Sequence, residues 1–186
     1  LAYPYGIEVD KITNTLYIAD YLNHRIISYA KNASFGNVVL GDQGLSLNKT
    51  QLWNPVGIYL DYISNSLFIA NYGANNIVRW VRNESEWMLA AGDINGVRNS
   101  TSTTFRGVTN MVLDPMGNMY VADRDNQRIQ LFMVGEYVGS TIAGVTGVSG
   151  MNASLLSAPW CVKLDSQLNL YVTDTDNHRI QKFVRF

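Results

Sequence analysis

The chain has 186 residues, 47% of them hydrophobic, a net charge of −1 and one cysteine, Cys161. That composition supports a packed core, rules out an internal disulfide framework and scatters its 14 basic residues too widely for a nucleic-acid footprint. No apolar run approaches the roughly 18 residues of a membrane span, so no membrane contact is read from this segment.

Taken in chain order, the first short apolar run is GIEVD (6–10), ending in Asp. A turn, KITNT, leads into LYIAD (16–20); RIISY (25–29) and NVVLG (37–41) follow. The same succession returns as GIYLD (57–61), LFIAN (67–71), NIVRW (76–80) and WMLAAG (87–92). It returns again as NMVLD (110–114), MYVAD (119–123), RIQLF (128–132) and STIAG (140–144). The last copy has CVKLD (161–165), LYVTD (170–174) and RIQKF (179–183). Ile26, Ile77, Ile129 and Ile180 mark the period, 51, 52 and 51 residues apart. Runs this short, rich in Val, Ile, Tyr and Phe and bounded by Asn and Gly, are strands joined by tight turns. No segment holds a 3.6-residue apolar period, so almost no helix is expected.

A unit of about fifty residues built four times is a repeat architecture. Four antiparallel strands per unit give an all-β fold, a β-propeller of four-stranded blades. A two-sheet sandwich is the alternative, but it does not require the same loop after every second strand. The repeats fall at about 1–51, 52–103, 104–155 and 156–186, the last without its outer strand. The expectation is an arc of nearly four blades, part of a longer propeller.

The tract from the second to the third strand, LYIADYLNHRI (16–26) and its copies, resembles the NHL repeat. The leading Pro4–Ile7 and Pro55–Ile58 and the glycines Gly41, Gly92 and Gly144 also fit that pattern. The resemblance covers the whole chain. It implies a six-bladed propeller used as a binding platform. The repeats here are longer than is typical of the family, the excess lying in loops such as Asp42–Trp53 and Asp93–Phe105. Repeat three departs at its opening, Val108-Thr109-Asn110, and repeat four carries Cys161 where Gly6 and Gly57 stand.

Asp20, Asp123 and Asp174 end second strands, and Arg25, Arg128 and Arg179 follow each by five residues. A loop of that length can close a charge-assisted pair. In repeat two both charges are absent together, as Asn71 and Asn76. Joint loss is what a structural staple predicts, because one charge left buried alone costs roughly 3–5 kcal/mol. The two histidines, His24 and His178, share one motif position that holds Asn75 and Gln127 elsewhere, which favours loop packing over a metal site. Nine of eleven aspartates recur at equivalent positions, an architectural distribution. Glu8 and Lys163 break the apolar character of the first strand and are candidates to face a central channel. Cys161 reads as a buried, inert thiol. No cofactor motif or zinc-ligand spacing is present.

Five Asn-x-Ser/Thr sequons occur, at Asn32, Asn48, Asn83, Asn99 and Asn152. Asn32 and Asn83 share one repeat position; Asn48, Asn99 and Asn152 share another. All fall in expected loops, where glycans can be carried. This favours an extracellular or secretory-pathway ectodomain; a cytoplasmic protein is the alternative, since repeat duplication copies sequons passively.

The leading functional reading is a non-catalytic scaffold. It presents loop tips that differ between blades, Tyr21, Leu22, Tyr72, Arg124, Asp125, Thr175 and Asp176, to a protein or glycan partner. A propeller enzyme of metal-dependent lyase or lactonase type, with its site in the central channel, is the alternative. RNA binding ranks last, because Asp125 and Asp176 sit among the tips and no basic face forms.

Overall fold

The computed structural model describes residues 1–42, 44 and 46–184. Two positions of the expected loop Asp42–Trp53 and the last two of the fourth repeat therefore lie outside the described residues. Among the described residues, fifteen strands form four antiparallel sheets, each in simple up-and-down order. Blade one comprises β1 (Pro4–Asp10), β2 (Thr15–Asp20), β3 (Arg25–Tyr29) and β4 (Asn37–Gly41). Blade two comprises β5 (Pro55–Asp61), β6 (Ser66–Asn71), β7 (Asn76–Val81) and β8 (Met88–Gly92). Blade three comprises β9 (Val108–Leu113), β10 (Met119–Asp123), β11 (Arg128–Phe132) and β12 (Ser140–Gly144). Blade four has three described strands, β13 (Pro159–Leu164), β14 (Leu170–Asp174) and β15 (Arg179–Phe183). The architecture is a β-propeller, and the only helical pieces among the described residues are four three-residue 3-10 turns between second and third strands.

Each blade's apolar residues alternate between its two faces, so three separate cores form between neighbours. Tyr17, Ala19 and Ile26 of blade one pack on Ile58, Leu67 and Ile69 of blade two. Phe68, Ala70 and Ile77 meet Met111 and Val121 of blade three. Ala122 and Ile129 meet Val162 and Val172 of blade four. The flanking faces are different. Ile7 and Ile58 occupy the same register position, opposite Ile18 and Ile69, yet Ile7 is 64% exposed and Ile58 4%. On blade four, Ile180 is 63% exposed where Ile26, Ile77 and Ile129 are fully buried.

The repeated aspartates make the turns. Asp10, Asp61, Asp114 and Asp165 each accept the N–H two residues on, from Ile12, Ile63, Met116 and Gln167, at 2.9–3.2 Å. These are Asx turns, which tie the first strand to the second. Gly41, Gly92 and Gly144 end the fourth strands at φ +89, +92 and +78. A Cβ at any of them would press on the carbonyl of His24, Asn75 or Gln127. Both the dihedral and the space call for glycine.

Candidate functional site

The motif loops, the lead-ins to the first strands and the ends of the inner strands meet at one end of the propeller axis. There the structure places the Asp–Arg pairs and the loop tips.

Asp20 and Arg25 are joined through Oδ2 and Nε at 2.8 Å, Asp123 and Arg128 at 2.8 Å, and Asp174 and Arg179 at 2.7 Å. Each carboxylate does more than hold its arginine. Its other oxygen accepts a lead-in N–H, from Ala2, Arg106 or Ser157, at 2.6–2.8 Å. An asparagine from the 3-10 turn, Asn23, Asn126 or Asn177, donates to Oδ2 at 2.8 Å. The arginines reach on to the inter-blade segments: Arg128 donates to the carbonyls of Ser100, Thr101 and Thr104, and Arg179 to those of Met151, Asn152 and Leu155. Blade two keeps the geometry without charge: Asn71 accepts the Trp53 N–H at 2.6 Å and donates to Asn76 Oδ1 at 3.2 Å. Its 3-10 turn has Ala74 where the others have asparagine. The unit that varies together is thus a triad, Asp–Asn–Arg or Asn–Ala–Asn. The sequence pairing of Asp with Arg left out the asparagine.

Burial pulls each of these carboxyls upward, and the hydrogen bonds pull it down. For Asp20 the Ala2 N–H, Asn23 and Arg25 outweigh burial, and its pKa falls below the usual carboxylate value. For Asp174 Asn177, Ser157 and Arg179 do the same. Asp123 is more deeply enclosed; there burial outweighs the Arg106 N–H, Asn126 and Arg128, and the pKa rises.

The histidine position has a role that sequence reasoning assigned only to loop packing. His24, Asn75, Gln127 and His178 all adopt φ between +49 and +59. From there His24 Nδ1 accepts the Asn54 N–H at 3.1 Å, Asn75 Oδ1 the Gly107 N–H at 2.9 Å, and Gln127 Oε1 the Ala158 N–H at 2.7 Å. Each is a latch from one blade to the next blade's lead-in. The common property of His, Asn and Gln there is a side-chain acceptor, which was the available signal.

The loop tips divide into two kinds. Asp125 is engaged by Arg98 and, at 2.7 Å, by Arg124. Leu22, Thr175 and Asp176 face solvent. Tyr21 and Tyr72, by contrast, join a belt of aromatic rings around the axis. Tyr21 lies 6.4 Å from Tyr72 and 5.1 Å, edge-on, from Tyr5. Tyr5 lies 5.8 Å from Trp160, and the Arg124 guanidinium stacks on the Trp160 ring at 5.7 Å. Burial raises the pKa of Tyr21, with Tyr72 and Tyr5 adding to it. All four blades contribute to this belt. Tyr5 and Trp160 escaped the sequence reading; they stand second in the inner strand, where blades two and three have Val56 and Thr109.

Beneath the belt is a cleft of about 230 Å³ between the inner strands, reaching Asn110, Cys161 and Lys163. Lys163 lines it, and Glu8 feels the Lys163 charge while half-buried; burial raises the Glu8 pKa and Lys163 is the chief opposing influence. Burial likewise raises the Cys161 thiol. Among the described residues no three of His, Cys, Asp and Glu converge as a metal set would. The five sequon asparagines are all exposed.

Comparison with known proteins adds the family. The NHL repeat family model matches residues 156–183. Residues 156–183 therefore carry an NHL repeat. The human NHL repeat-containing protein 3 is 29% identical over 128 residues, covering 64% of this chain and 35% of that protein. The chain thus spans about a third of that relative's length. Among solved structures, an auxiliary nutrient binding protein from Bacteroides thetaiotaomicron superposes with a TM-score of 0.74 at 18% identity, over 95% of this chain and 46% of that one. A streptogramin B lyase superposes with a TM-score of 0.69 at 14% identity, over 98% of this chain and 51% of that one. At such identities the likeness shows a shared propeller fold.

Proposed function

We propose that this NHL propeller is a non-catalytic binding platform whose working surface is the motif-loop end of the axis, presented to a protein or glycan partner. The observation that carries this reading is the belt formed by Tyr5, Tyr21, Tyr72, Trp160 and Arg124. Tyr, Trp and Arg are the residue types that dominate binding energy at interfaces. They are also dispensable to the blade itself, since Val56, Thr109 and Thr175 fill equivalent positions. The staples and latches fix the frame, and the belt varies upon it. The exposed sequons support the further reading that the chain is a glycoprotein of the secretory pathway or cell exterior.

The test is an array of immobilised oligosaccharides and peptides probed with the wild-type chain and with Tyr5→Val/Trp160→Thr. Ligands held by the wild type and lost by the variant are expected. Undiminished binding by the variant would overturn the assignment of the surface. Glycosidase treatment of native protein, followed by mass measurement, tests the ectodomain reading: a mass loss is expected, and an unchanged mass would remove its support.

A further inference from the structure

Resting on that reading, we propose that the axial cleft beneath the belt takes one pyranose ring of a glycan, stacked on Trp160 and Tyr5. The cleft is composite and asymmetric. Its lining differs in every blade at one level, Tyr5, Val56, Thr109 and Trp160, and in two of the four at the next, where Asn110 and Cys161 stand against Gly6 and Gly57. Nothing in the repeat demands the rings, because Val and Thr serve the same strand position.

The polar groups of the cleft are underused. The Lys163 side chain makes no hydrogen bond or close ion pair among the described residues, and it stands on the lining. Asn110 Oδ1 accepts the Val162 N–H at 3.2 Å and the Cys161 thiol at 3.5 Å. Its Nδ2 donates to nothing described and lies beside Gly57, whose missing side chain leaves the approach open. The site therefore offers flat apolar faces together with an ammonium and an amide donor.

A sugar ring answers both demands. One of its faces is apolar C–H surface that covers an aromatic ring, and its edge carries hydroxyls that both donate and accept. A proline or other apolar peptide side chain would cover the rings but strip water from Lys163 and Asn110 without replacing it, which is unfavourable. A bare anion would answer Lys163 and leave the rings unused. Size narrows the choice further. At about 230 Å³ the cleft is smaller than the roughly 300–1,000 Å³ of sites for drug-sized ligands. One ring enters it, and the rest of a glycan chain lies over Tyr21 and Tyr72.

Titration calorimetry of the whole chain against a panel of neutral mono- and oligosaccharides, with a proline-rich peptide as competitor, tests this. The variants borrow residues the repeat already uses at these positions, so folding is preserved: Trp160→Thr, Tyr5→Val and Lys163→Val. The expected result is saccharide binding by the wild type, weakened about tenfold or more by each variant, with an unchanged unfolding temperature. Absence of saccharide binding by the wild type overturns the proposal. If the peptide binds instead and Trp160→Thr abolishes it, the sugar is wrong and the platform stands. If a ligand binds and no belt variant weakens it, both fail.

Discussion

At the scale of single residues, the buried staple in blade three is the most consequential contact. Arg128 is 4% exposed in its side chain and Asp123 not at all. Arg128→Ala strands a carboxylate with its remaining donors and should cost roughly 3–5 kcal/mol, measured by denaturant unfolding. Replacing the whole triad by its blade-two counterpart, Asp123→Asn, Asn126→Ala and Arg128→Asn together, should cost less than Arg128→Ala alone. The latch at His24 makes a second prediction. Nδ1 must be unprotonated to accept the Asn54 N–H, and burial lowers the His24 pKa below its ordinary 6.5. A histidine with a lowered folded pKa contributes stability above its unfolded pKa. That contribution is lost as pH falls from about 6.5 through the lower folded value. His24→Asn, which copies blade two, should flatten unfolding free energy across this acid range. An unchanged slope in the variant would show that the latch does not titrate.

At the scale of the strand and blade, the short apolar runs, the turn aspartates and the terminal glycines were legible, because each acts on its own neighbourhood in sequence. The Asp–Arg spacing was legible for the same reason. The belt was not: Tyr5 and Trp160 meet only because the first and fourth inner strands approach one axis, and a repeat comparison registers them merely as deviations. The latch was half legible, since a shared acceptor is visible in His, Asn and Gln but its partner in the next blade is not. Two predictions belong here. Gly144→Ala places a side chain at φ +78 against the Gln127 carbonyl, and should destabilise by about 1–3 kcal/mol, read from its unfolding midpoint. The acid limit of the blades follows from lowered carboxyls. Asp10, drawn down to about 2 by the Ile12 N–H, Thr13 and Arg82 against the pull of burial, acts with Asp20 and Asp174 in the same direction. Their stabilisation is complete above the ordinary carboxylate range and is lost as pH falls toward 2. A midpoint flat between pH 5 and 2 would contradict this.

At the scale of the molecule, the chain is a stack of alternating cores with two apolar faces left over. Ile7 and Ile180 are exposed where their counterparts in other blades are buried. Apolar sheet faces of this kind drive association. The 186-residue chain should therefore self-associate in sedimentation at rising concentration, and Ile7→Lys with Ile180→Lys should reduce it.

The molecule divides into repeated residues that hold the frame and unrepeated residues at the axis mouth proposed to bind. The most direct test of this division is one paired measurement, unfolding temperature and ligand affinity, made on Arg128→Ala and on Trp160→Thr side by side. Arg128→Ala should lower the unfolding temperature by roughly 10 °C and leave the folded fraction's affinity intact, while Trp160→Thr should do the reverse. Affinity lost in Arg128→Ala and kept in Trp160→Thr would contradict it.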